Sequence, residues 1–335
     1  MLFELPAFEQ VDARDIQEVL FHLQRYGEKA RVIAGGTDLL SLMKSRVGGP
    51  KSQIPEVLIN VKTVPEMNRI VYDKERILRI GAAVTLSRLI TSDVVNETFS
   101  ILAQAARQVG TTQLRNMGTL AGNICQRPRC SYFRHSDFIC LKKGGPMCYA
   151  VVGEHRYYHS IFQNGRCVMA HPSDLAPVLV ALKATAITMG SDGRREVPFE
   201  DFFLGPNNLI ETVLNPDEFI SEIQIPHQVG KTRQVFLKNR IRNSADFALA
   251  SVAMVARMSG EICQEIRMVL GGVAPLPYVP SKAEGMVKGR NFDERIISEA
   301  AEVAVEGAHA LPMNQYKVPL TRSLVRRALI SIWHE

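Results

Sequence analysis

The chain contains no uninterrupted apolar run approaching the roughly 18–20 residues that span a bilayer, which excludes a membrane-crossing helix. It has no phosphate loop ending in Gly-Lys-Ser/Thr and no Gly-x-Gly-x-x-Gly turn, so neither a Walker-type nor a Rossmann nucleotide site is indicated. Aromatic residues make up only 7%, and no helix-turn-helix, RNA-recognition or zinc-finger pattern occurs. The net charge of +6, from 40 Lys and Arg against 34 Asp and Glu, therefore does not read as a nucleic-acid surface. It suits an anionic cofactor and an acidic protein partner. The opening segment MLFELPAFEQVDARDIQEVL lacks a basic region followed by an apolar core and a small-residue cleavage site, so no signal peptide is read there. The expectation is a cytoplasmic protein with reduced thiols, export alongside a partner subunit remaining compatible. Internal repeats and low-complexity segments are also lacking.

Cysteine is scarce, six in all, yet four of the six fall in one stretch: Cys130, Cys140, Cys148 and Cys167. Their gaps of nine, seven and eighteen residues contain none of the close knuckles on which structural zinc sites are built. A 4Fe-4S cubane needs only four converging thiolates and tolerates irregular spacing. A zinc site, unrelated reduced thiols and a disulfide stay open on spacing alone, the disulfide being the weakest because cytosolic thiols are kept reduced. Arg127, Arg129, Arg134, Lys142 and Lys143 concentrate positive charge around these cysteines. Three readings apply to them: a solvated face, a field that favours a reduced cluster, or a docking surface for an acidic ferredoxin.

At 335 residues, two or three compact units are expected. Helical spacing of Ile16, Val19, Leu20 and Leu23 predicts a helix over 13–26. A short apolar strand over 31–34 then runs into Gly35-Gly36-Thr37-Asp38 and the helical pattern LLSLMKSR. Strands are predicted over 57–61, 77–80, 185–189 and 220–225, and helices over 103–109 and from Leu175, the latter capped by Ser173-Asp174. Pro226 and Gly230 mark a domain boundary. Beyond it, 248–258 and 262–270 form a hairpin around Ser259-Gly260, and helices near 294–306 and 321–333 close the chain.

Two glycine-rich segments carry the chemistry. In the first, Gly35 and Gly36 let backbone approach an anion at a helix start, although a strand-to-helix turn often carries glycine for steric reasons alone. The second, Gly110 to Asn123, sets the neutral donors Thr111, Thr112, Gln113, Asn116, Thr119 and Asn123 among Gly110, Gly118 and Gly122. It suits a pyrophosphate and a flavin edge, or a polar surface loop. Both together favour a dinucleotide clamp.

Five motifs in order, IAGGTDLLSLMK, LRIGAAVTLSRL, VGTTQLRNMGTLAGNIC, HPSDLAPVLVAL and FLKNRIRNSADFALASVA, resemble the FAD-binding medium subunit of the xanthine oxidase family of molybdenum hydroxylases. The similarity covers nearly the whole chain. It implies an α+β fold: a two-lobed FAD-binding domain of the vanillyl-alcohol-oxidase (PCMH) type over 1–226, with lobes of roughly 1–56 and 57–226. A C-terminal α+β domain like that of the CO dehydrogenase flavoprotein would follow over 230–335. The cysteine-rich insertion 126–169 resembles a minority branch, which includes the 4-hydroxybenzoyl-CoA reductase β subunit and the flavin subunit of bacterial aldehyde oxidoreductases. There the resemblance implies a 4Fe-4S cluster on Cys130, Cys140, Cys148 and Cys167, with Cys125 a non-ligand on the flavin side. For FAD it implies Arg31, Val32, Ile33, Ala34, Gly35, Gly36, Thr37, Asp38 and Leu39, then Thr112, Gly118, Thr119, Gly122 and Asn123. Asp174 is expected as a helix-capping acid near the cofactor, or a plain N-cap; Ile220 as an apolar contact; and Lys238 as a cation near the isoalloxazine, or a solvated strand residue.

The implied function is electron transfer within a heteromeric molybdenum-dependent oxidoreductase. The implied partners are a molybdenum-cofactor large subunit, a 2Fe-2S small subunit and an external redox protein such as ferredoxin. No catalytic acid or base toward the organic substrate is expected on this chain. Two alternatives are a self-contained NAD(P)H-dependent flavin dehydrogenase, which needs no cysteines, and a zinc-stabilised interaction protein.

Overall fold

The computed structural model describes residues 4–73, 76–163 and 165–334; the ends of the expected domains, 1–3 and 335, lie outside them. Three sheets organise the chain. The first is parallel, with β3 (Val57–Asn60) between β1 (Glu9–Asp12) and β2 (Ala30–Ile33). The helix Ile16–Tyr26 connects β1 to β2 and buries Val19 and Leu23, while Asp15 caps it by accepting from the Glu18 amide. β3, just beyond the expected lobe bound near residue 56, pairs with both β1 and β2 and so holds this sheet together.

The second sheet is antiparallel, in the order β4 (Ile70–Asp73), β5 (Ile77–Gly81), β8 (Phe219–Pro226), β6 (Thr185–Gly190) and β7 (Gly193–Pro198). Leu78 and Ile80 on β5 and Ile223 and Ile225 on β8 alternate onto one face and are fully buried. With Phe99, Phe199 and Phe202 they join the first lobe's apolar residues in one core. Burying each such side chain is worth about 1.5–3 kcal/mol.

The third sheet is the meander β9 (Thr232–Asn239), β10 (Ala250–Ser259) and β11 (Ile262–Gly271). The closing helix, Lys317–His334, buries Thr321, Leu324, Val325, Ala328, Leu329 and Ile332 at helical spacing to form a separate core against it. The helix Leu175–Ala181, all seven of whose residues are buried, also packs on β10 and β11. β9 is an edge strand, and unpaired edge groups need partners. Gln104, on the helix Ser100–Arg107, supplies them: its Nε2 donates to the Gln234 carbonyl at 3.0 Å and its Oε1 accepts from the Phe236 amide at 2.9 Å. That edge bonding holds the C-terminal sheet, and Lys238 with it, against the helix Ser100–Arg107.

Candidate functional site

Two cavities, of about 390 Å³ and about 210 Å³, meet at the two glycine-rich segments. Both are lined by Thr37, Asp38, Thr119, Gly122 and Gln126, so they form two ends of one cleft. The second segment is not an open loop. It folds as short helices Thr112–Met117 and Leu120–Ile124, capped by the Thr111 and Thr119 hydroxyls. The Leu120 amide is tied to the Val84 carbonyl at 2.9 Å, and the Leu86 amide to the Gly118 carbonyl at 3.0 Å. Gly35 is required by contact: a Cβ there would stand 2.2 Å from the Met117 carbonyl oxygen. Gly36 is required by conformation, with φ of 68°.

The larger cavity opens between the first lobe and the 210–218 loop. Arg31 to Leu39 line it, with Ile220 of β8 on the far side. Arg31 is held below its usual pKa chiefly by burial and next by the positive charge of Arg127. Two cations facing one cavity in this way invite an anion between them.

The basic residues near the cysteines are neither a solvated face nor a docking surface. Asp38 accepts from the Arg127 amide at 2.8 Å and from Arg134 Nη2 at 2.5 Å, and pairs with Arg129 Nη2 at 2.8 Å. This is its role in place of capping the helix Leu39–Lys44. Arg129 also lies over the Phe247 ring at 4.3 Å, and burial lowers its pKa to about 10. Arg127 Nε contacts Glu211 Oε2 at 2.5 Å. Lys142 and Lys143 are buried; Lys143 Nζ donates to the His135 carbonyl at 2.6 Å.

The smaller cavity is lined by Gly118, Thr119, Gly122, Asn123, Asp174 and Lys238, and closed by Ala245, Asp246 and Phe247 of the C-terminal domain. Lys238 is not a solvated strand residue: its Nζ donates to Asp174 Oδ2 at 2.6 Å and to the Gln108 carbonyl at 3.1 Å, and both partners of the pair are buried. Burial raises the Asp174 pKa, and Lys238 counters it. Asp174 makes no side-chain cap bond. Ser173 does that work: its hydroxyl accepts from the Leu175 and Ala176 amides and donates to Asn123 Oδ1 at 2.6 Å. Thr112 stands apart from the other expected positions. It is exposed, bonded to Arg115, and lines neither cavity.

The four clustered cysteines converge. Cys130, Cys140 and Cys148 each precede a helical turn, Ser131–Arg134, Leu141–Lys143 and Tyr149–Val151 respectively. The amides of Tyr132 and Phe133 face the Cys130 sulfur, and those of Lys142 and Lys143 face Cys140. Ala150, Val151 and Val168 present theirs to Cys148, and Met169 to Cys167. Such donors favour thiolate over thiol. Burial nonetheless pushes Cys130 up to about 11 and raises Cys140. Cys148 and Cys167 act on each other, which lowers Cys148 to about 6 and raises Cys167. Cys148 is half-buried, and the other three are buried. Among the described residues no three His, Cys, Asp or Glu side chains close on a single metal ion. Cys125 lies elsewhere, on the larger cavity, with its thiol pushed up to about 12 by burial. Leu42, Val47 and Phe133 belong both to that cavity's wall and to the apolar cluster around Cys130 and Cys140.

Sequence reasoning missed the 210–218 loop, which walls the larger cavity with Glu211 and has no periodicity to reveal it. It also missed Ser52 to Pro55 on the same wall.

Comparison with known proteins agrees with this layout. A family model described as the FAD binding domain in molybdopterin dehydrogenase matches residues 6–228, and one described as the CO dehydrogenase flavoprotein C-terminal domain matches 236–332. The chain is 32% identical over 314 residues to the aldehyde oxidoreductase FAD-binding subunit of Escherichia coli, covering 91% of each. It is 28% identical over 333 residues to the carbon monoxide dehydrogenase medium chain of Hydrogenophaga pseudoflava, covering 98% of each. A solved structure of carbon monoxide dehydrogenase from that organism, in a form lacking the Mo-pyranopterin moiety, matches with a TM-score of 0.77 at 27% identity over 99% of both chains.

Proposed function

The chain belongs to the family of FAD-binding medium subunits of the molybdenum hydroxylases, and from that premise we propose that it is an electron-transfer subunit carrying a 4Fe-4S cluster beside FAD. The observation that carries this reading is the gathering of four thiols, each met by backbone amides, behind a wall shared with the larger cavity. Metal ligation would replace the protons of these four thiols. The irregular spacing, with none of the close knuckles of a zinc site, favours the cluster over zinc.

Bound FAD supplies the conversion between two-electron and one-electron transfer, and a bound cluster a one-electron relay. The glycine turn from Arg31 to Leu39 would hold the diphosphate, with Arg31 and Arg127 balancing its charge. Thr119, Gly122 and Asn123 would line its path, and Ile220 would pack against an apolar portion. Asp174 and Lys238 would meet the ring in the smaller cavity, where an ammonium stabilises negative charge on a reduced flavin. The C-terminal segment 245–247 excludes water from that end. Cys130, Cys140, Cys148 and Cys167 would bind the cluster.

The relatives' names, an FAD-binding subunit and medium chains, support a heteromeric enzyme; the partners proposed for this chain are a molybdenum-cofactor large subunit, a 2Fe-2S small subunit and, for the cluster, ferredoxin. The six cysteines are unpaired, which suits a reducing compartment. The test is the visible spectrum, with iron and sulfide content, of anaerobically purified protein. Flavin bands above broad iron-sulfur absorbance are expected. Flavin without iron would leave an NAD(P)H-type flavoprotein, and bound zinc without colour would leave an interaction module.

A further inference from the structure

Between the thiols and the larger cavity lies a chain of three charges, Lys142 and Glu211 buried and Arg127 part-exposed. The Lys142 side chain is 1% exposed and Glu211 3%. Lys142 Nζ donates to the Asn208 carbonyl at 2.7 Å and stands 3.2 Å from Glu211 Oε1, whose partner oxygen meets Arg127. Glu211 Oε1 and Arg127 Nε are not aligned as hydrogen bonds, so these contacts act chiefly through charge. On the thiol side, Lys142 lies in the turn Leu141–Lys143, which begins directly after Cys140, and both residues are buried. On the other side, Glu211 and Arg127 line the larger cavity.

A four-thiolate 4Fe-4S cluster carries a charge of −2 oxidised and −3 after taking up one electron, with no bond made or broken. A fixed charge in a low-dielectric interior acts strongly on that change. Resting on the cluster reading above, we propose that Lys142 and Glu211 are opposed positioning residues for electron transfer: Lys142 raises the cluster's reduction potential and Glu211 lowers it by offsetting that cation. A solvated or docking lysine could not act in this way, whereas a buried one with a single carboxylate neighbour can.

The experiment is an EPR-monitored redox titration of the whole purified protein, with dithionite supplying the electrons through mediator dyes. Lys142→Met is expected to lower the cluster's midpoint by at least a tenfold change in the reduction equilibrium, 59 mV for a one-electron couple. Glu211→Gln is expected to raise it, the double variant to return toward the wild-type value, and Lys142→Arg to stay near it. Shifts of the same sign in the two single variants, or changes under twofold in both, overturn the proposal. Should Lys142→Met fail to load iron, the sign of the Glu211→Gln shift decides. Wild-type protein without iron removes the cluster reading and this inference together, while iron with unmoved potentials removes this inference alone.

Discussion

Gly35 and Met117 touch across the two glycine segments so closely that the space for a methyl group is taken by the Met117 carbonyl, 2.2 Å from where a Cβ would be. The backbone on either side must part for any side chain to fit. Gly35→Ala is therefore expected to reduce flavin content below a tenth of wild type, with circular dichroism largely kept. Gly36→Val, at φ of 68°, adds strain of about 1–3 kcal/mol to a blocked approach and should also lose flavin. Flavin-to-protein ratio after gel filtration checks both. Full flavin in Gly35→Ala would mean that the segments separate freely.

Asp174 and Lys238 are each other's compensation in a buried place. Removing one charge strands the other, so Lys238→Met should cost about 3–5 kcal/mol in denaturant unfolding. The pair Lys238→Met with Asp174→Leu should regain most of that stability. It should still show altered flavin absorbance or potential, which separates a role at the ring from a role in folding.

Cys140→Ser or Cys148→Ser should lose iron and acid-labile sulfide, whereas Cys125→Ser should keep both, because Cys125 lies on the larger cavity away from the thiol cluster. Colorimetric iron and sulfide assays on anaerobic preparations read the difference. Full iron in Cys140→Ser would overturn the ligand set.

Lys317 is fully buried, its Nζ donating to the carbonyls of Tyr157, His159 and Gly272 at 3.0, 2.9 and 2.7 Å. Burial lowers its pKa from 10.5 to about 7. Between those values the unfolded chain binds a proton that the folded chain does not, so this group makes stability rise with pH across that window. The contribution is lost as pH falls toward about 7, with a limiting slope of about 1.4 kcal/mol per pH unit. The three carbonyls favour the ammonium and make the observed rise shallower. Lys317→Met should flatten it, as measured by urea unfolding at pH 7, 8.5 and 10. An unchanged slope would show that Lys317 stays charged throughout.

Much of this architecture was legible because it is periodic. Ile16, Val19 and Leu23 announce a helix, and alternation through 248–258 and 262–270 announces the hairpin that appears as β10 and β11. The glycine turn was legible because few residues tolerate its backbone. What could not be read was pairing over distance. Arg127 meets Asp38 from 89 residues away, and Lys142 meets the Asn208 carbonyl from 66. Their side chains look like a solvated basic stretch until the carboxylates that neutralise them are placed in space. The same holds for Asp174, whose position beside a helix start suggests a cap, although Ser173 takes that role. Lys238 on an edge strand gave no local sign of burial. Only the resemblance to a family pointed to either residue.

The uneven cover over the four sulfurs has a consequence for handling and lifespan. Cys130, Cys140 and Cys167 are 7–8% exposed, while Cys148 is only half-buried. Oxygen and peroxide attack accessible free thiolate first, so in protein from which the cluster has been lost Cys148 is the first of the four expected to oxidise. Such a preparation aged aerobically would carry sulfinic or sulfonic acid at Cys148 before any of the other three, which peptide mass spectrometry would read.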